Sequence, residues 1–129
     1  MKRTVQTSQR FRYVSSFLAL LLWGGWAYFI NYDDSAYSGI RSGLAQGIAS
    51  FVMTLSMVHV ITHLYNKLSH PVSQLLFPAI LVVSLTCSCL IAIHTIVGTP
   101  NIGVTILPTL IVAFLFCVYT SFKLQAMSS

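Results

Sequence analysis

The sequence predicts an all-α polytopic membrane protein: four transmembrane helices in an up-down bundle, one integral membrane domain over residues 1–129, with both termini cytoplasmic. Three observations predict it. Hydrophobic residues make up 56% of the chain and charged ones only 7%, with a mean hydropathy of +0.80. A soluble domain carries roughly a quarter charged residues, so this chain has too few polar side chains to clothe a globule in water. Apolar runs of about twenty residues, long enough to cross about 30 Å of hydrocarbon at about 1.5 Å per residue, fall near 13–31, 41–64, 74–95 and 102–122. Third, the basic residues divide unevenly between the connecting segments. Lys2, Arg3, Arg10, Arg12, Lys67 and Lys123 fall on one side and Arg41 alone on the other, which sets the N-terminus inside. Nothing alternates with the two-residue period of a membrane barrel.

The first run follows four basic residues, Lys2, Arg3, Arg10 and Arg12. Abutting a hydrophobic span, they read as a topology signal and a contact for anionic lipid rather than a nucleic-acid patch. The run ends in aromatics and "NYDD" with no small-x-small cleavage pattern, so an uncleaved anchor is expected. Trp26, Tyr28, Tyr32 and Tyr37 mark the outer interface, and Tyr13, Tyr65 and Tyr119 the inner one, where amphipathic rings favour the headgroup level.

The second run opens with "GIRSGLAQG", which puts Gly39, Gly43 and Gly47 four apart on one helical stripe. Helices in lipid associate by close van der Waals approach, which small residues permit. Gly24 and Gly25 of the first run lie at nearly the same depth, so a tight antiparallel hairpin between the first two helices is expected, with Ala49 and Ser50 continuing it. The other reading of this glycine zipper faces it toward a second copy or a larger membrane partner. Arg41 snorkels to headgroups or pairs with Asp33 or Asp34. In a sharper reading Arg41 and Gln46 line an outward vestibule with Asn101, Thr105, Pro108 and Thr109.

"HVITH" sets His59 and His63 four apart, the spacing by which one helix offers two imidazoles to a metal. A site needs a third ligand, for which Cys117 is the candidate by depth. The plainer reading makes His63 interfacial and His59 a buried residue satisfied by a neighbour, and a proton relay through these imidazoles is the alternative use. No metal or cofactor is expected.

In the third run, Cys87 and Cys89 of "TCSC" point about 200° apart on a helix and cannot share a metal or close a disulfide. His94, at the outer end of that run, is expected near the Asp33–Asp34 loop. Pro108 in the fourth run frees the carbonyl of Val104, which Thr105 and Thr109 stand ready to re-satisfy.

No phosphate-cradling loop, nucleophile elbow, paired acids or metalloprotease motif occurs, and no enzymatic activity is expected. The expected function is that of a structural or accessory subunit in a cell membrane, the bacterial inner membrane, packing with itself or with a larger membrane partner in the lipid bilayer and without nucleic acid. The alternatives are a small transport protein, channel or lipid-flipping subunit using the vestibule, and then a membrane-embedded metal or redox enzyme using His59, His63 and Cys117.

Overall fold

A computed structural model describes residues 5–128, and Lys2 and Arg3 lie outside them. The chain forms four helices: α1 (Gln9–Asn31), α2 (Ala36–Lys67), α3 (Pro71–Val97) and α4 (Ile102–Ser128). All four are long and apolar enough to cross a membrane. Each extends past its apolar run because caps, not hydropathy, set the ends. The Ser8 hydroxyl accepts from the Phe11 N–H, and the Ser35 hydroxyl accepts from the Ser38 N–H, each meeting one of the amides a first turn leaves unpaired. Pro71 starts α3, where a missing N–H costs nothing. Gly98 ends it with φ 82°, a left-handed turn that admits a residue without Cβ.

Helix α2 is the hub, packing against α1, α3 and α4, while α1 has no packed contact with α3 among the described residues. Between α2, α3 and α4 lies a core of Met57, Ile61, Ala79, Val82, Ala113 and Cys117. A second cluster, Ala49 with Leu90 and Ile106, stacks above it toward the α1–α2 loop. The outer faces are apolar as well: Leu21 is 66% exposed, Phe29 70% and Ile96 85%. Such a surface is stable when its solvent is lipid.

The α1–α2 seam depends on bare backbone. A methyl group at Gly24 would stand 3.2 Å from both the Gly43 carbonyl oxygen and the Gly47 Cα. At Gly43 it would meet the Gly24 oxygen and the Tyr28 Cβ at 3.0 Å, and at Gly39 the Tyr28 oxygen at 3.0 Å. At Gly47 it would meet the Leu20 oxygen at 3.2 Å. Gly25 is different, and the expectation that it shares this contact is corrected: nothing lies within 4 Å of its missing Cβ. One residue along a helix turns the side-chain direction by about 100°, so Gly24 and Gly25 cannot face the same neighbour. Ala49 does not continue the seam either, since it packs on Leu90 and Ile106.

At the opposite end, side-chain amides close the bundle. Asn66 accepts from the Val5 N–H at 2.9 Å and donates to the Val5 carbonyl at 2.8 Å. Gln74 donates to the Leu68 carbonyl, and Gln125 to that of Pro71. Tyr65, expected at the headgroup level, is instead buried with Val5 and Leu124, because the N-terminal segment folds back over it. Tyr13 and Tyr119 are exposed.

Candidate functional site

Polar side chains from α1, α2, α3, α4 and the α3–α4 loop meet inside the loop half of the bundle. Ser42 Oγ donates to Thr99 Oγ1 at 3.0 Å, and Thr99 Oγ1 lies 2.6 Å from His94 Nδ1. The other ring nitrogen, Nε2, meets Gln46 Oε1. Gln46 Nε2 donates to Thr109 Oγ1 at 3.1 Å, and the Thr109 hydroxyl points to the Thr105 carbonyl at 3.5 Å. The protons along this row have one consistent direction. Gln46 offers His94 an acceptor, so Nε2 carries the ring proton. Thr99 accepts from Ser42, so its own proton is available to Nδ1. The neutral Nε2–H tautomer therefore satisfies every member from Ser42 to Thr109. Ser42, Gln46 and His94 are fully buried, where an unmet polar group is expensive.

A second knot adjoins the first. Asn31 donates to the Ala27 carbonyl at 2.8 Å and to Thr105 Oγ1 at 2.9 Å, while its own oxygen accepts from the Asn101 N–H at 3.1 Å. It ties the end of α1 to the start of α4.

Several expectations change here. Gln46, Thr105 and Thr109 do come together, yet they are buried and bonded to one another, so they fill the interior rather than line an open vestibule. Arg41 pairs with neither Asp33 nor Asp34. Its Nη2 donates to the Gly98 carbonyl at 3.0 Å, and the guanidinium lies 5.0 Å from the Tyr37 ring centre. Asp34 instead accepts from Ser38 at 2.7 Å. His94 faces inward to Gln46 and Thr99, away from the acidic loop. His59 and His63 are both exposed on α2, whereas Cys117 is buried in the core; the three do not converge, and no group of three potential metal ligands exists among the described residues. The histidine spacing put two rings on one face of α2, and that face points outward.

Pro108 does free the Val104 carbonyl, but neither threonine takes it. The Trp26 indole N–H, from α1, donates to Val104 O at 3.2 Å. Trp26→Phe removes this donor while keeping an aromatic ring, and should lower bundle stability by about 1–2 kcal/mol, read as an earlier midpoint in denaturing-detergent titrations.

Two hollows border the site. One, of about 210 Å³, lies between α1 and α4 over the floor of α2 and reaches Thr109. The other is a groove on the outer side of the α1–α2 seam, where Gly24, Gly25, Gly43 and Gly47 form the floor and Leu21, Tyr28 and Leu44 stand at the sides. Compared with known protein families, curated proteins and solved structures, the chain matches none. The polar row was not legible as a unit because depth along a helix fixes height but not azimuth. Counting from the loops also misleads: Gln46 lies ten residues inside α2, whereas His94 is three residues from the end of α3 and Thr99 is in the loop.

Proposed function

We propose that the protein is a structural or accessory subunit of a larger membrane assembly, oriented with both termini cytoplasmic and resident in a bacterial inner membrane. Its loops, residues 32–35, 68–70 and 98–101, are too short to build a site outside the bilayer. The interior polar row from Ser42 to Thr109 is occupied with its own members, while the buried Ser50 and Ser121 hydroxyls have no partner. What is left to act is the lateral surface, and one observation carries the reading: Gly25 opens onto a bare-backbone groove with nothing within 4 Å of its missing Cβ. Close approach between backbones is what holds helices together in lipid. A transmembrane helix of a partner, or of a second copy, fits this outer seam.

Purification in mild detergent should yield a complex, and Gly25→Leu should abolish it. A Cβ at Gly25 meets nothing within 4 Å, so the variant's own stability should stay within about 0.5 kcal/mol of the parent. A chain that elutes alone, or a complex indifferent to Gly25→Leu, overturns the proposal. That result would favour transport, the reading supported by the continuous polar row from Thr99 to Thr109.

A further inference from the structure

The hollow between α1 and α4 has features that packing alone does not explain. The two helices touch at two levels, on either side of this hollow. At one level Phe11 stacks on Phe116 with centroids 5.8 Å apart, and at the other Trp26 bonds the Val104 carbonyl. The opening between them has a volume of about 210 Å³ and is lined in part by the exposed Leu18, Leu22 and Val112, so it forms a window toward the bilayer. An apolar cavity of about 150 Å³ is already enough to bind benzene.

Its floor is not wholly apolar. Ser50 lines it, is 6% exposed, and its Oγ has no hydrogen-bond partner. Six hydroxyls in these helices bond the carbonyl four residues back, those of Ser16, Thr62, Ser84, Ser88, Thr95 and Thr120. Ser50 does not, and of the two buried serines without a partner, Ser50 and Ser121, it is the one that lines the hollow. Thr54 and Thr86 border the same space. A hydroxyl held in hydrocarbon without a partner is a standing demand for an acceptor.

We propose that this window binds a lipid-soluble ring compound bearing a carbonyl oxygen, of the chemical class of a quinone head group, with Ser50 Oγ donating to that oxygen. A carbonyl answers the hydroxyl with one bond and brings no donor of its own for the apolar walls to leave unmet. Ser50 lies near the midpoint of α2 (Ala36–Lys67). The ester carbonyls of a phospholipid sit at the interface, so an acceptor at this depth belongs to a molecule that resides within the hydrocarbon. Trp23 and Phe116 supply aromatic lining for a ring, and the flexible thioethers of Met53 and Met57 line the same space. The site is separate from the Gly25 groove and does not depend on what docks there.

The test uses the full chain in phosphatidylcholine nanodiscs, with tryptophan fluorescence reporting binding beside Trp23. 1,4-Naphthoquinone should quench saturably, and naphthalene, the same ring system without an acceptor, should bind about five- to tenfold more weakly. Ser50→Ala should weaken naphthoquinone by a similar factor, while Ser84→Ala, an exposed position that already bonds its own helix, should not. Equal affinity for the two ligands, no saturable component, or full naphthoquinone affinity in Ser50→Ala overturns the proposal. So does displacement of the ligand by phospholipid acyl chains, seen as a quench that vanishes as lipid is added at constant ligand mole fraction. If Ser50→Ala fails to fold, the two-ligand comparison on the parent chain still decides.

Discussion

Gly43→Leu should split the α1–α2 pair and lower the stability of the bundle by about 3 kcal/mol or more. The missing Cβ faces the Gly24 carbonyl oxygen and the Tyr28 Cβ at 3.0 Å, and the first of these is backbone that cannot swing aside. An isobutyl group there must push the helices apart along their contact, and van der Waals attraction falls steeply with a gap of even about 1 Å. In lipid no hydrophobic gain offsets that loss, because acyl tails solvate the parted faces as well as the partner did. The measurement is the midpoint of unfolding in mixed micelles. The comparison with Gly25→Leu makes it sharp: two glycine-to-leucine changes at the same hairpin, one strongly destabilising and one nearly silent. Equal effects would show that the seam is not where the geometry puts it.

His94→Ala should be of similar size, about 3 kcal/mol or more, for a different reason. Removing the ring leaves Gln46 Oε1 without its donor and the Thr99 hydroxyl without its acceptor, both in the buried interior. It also leaves a void where a fully buried side chain stood. A double-mutant cycle with Gln46→Ala isolates the electrostatic part. The pair should lose about 1–3 kcal/mol less than the sum of the single changes, since the second substitution removes the group the first one orphaned. Strict additivity would mean that the two side chains do not sense each other.

Much of the architecture could be read from the chain because the physics there is one-dimensional. Run length against bilayer thickness places four helices, and "GTPNIG" and "YNKLSHPVS" contain the turns, at residues 98–101 and 68–70. The four-residue spacing of Gly39, Gly43 and Gly47 specifies a stripe, and counting back from the loop gives Gly24 its height. What could not be read is rotation. Whether Gly24 or Gly25 meets α2, whether His59 faces the core or the lipid, and whether His94 looks toward Asp34 or Gln46 all depend on how each helix is turned about its axis. Hydropathy gives little help, since in a membrane protein the outward face is as apolar as the inward one. The weak amphipathicity of α3 and α4, with Leu and Val on every side, is the sequence expression of that ambiguity. Trp26 and Val104, 78 residues apart, illustrate the other loss. The sequence identifies a freed carbonyl at Pro108, but its nearest candidates in the chain are not its nearest donors in space.

The 32 residues of α2 rise about 48 Å, well beyond about 30 Å of hydrocarbon. Tilting cannot absorb the surplus, because spans rarely lean past about 40°; the ends of α2 therefore stand among phosphates, with Lys67 at one of them. Its neighbour α1 has 23 residues, about 35 Å, and fits nearly upright. Since the two are clamped backbone to backbone, a thinner or thicker bilayer must rotate them together, and the pair will respond to membrane thickness as a single lever.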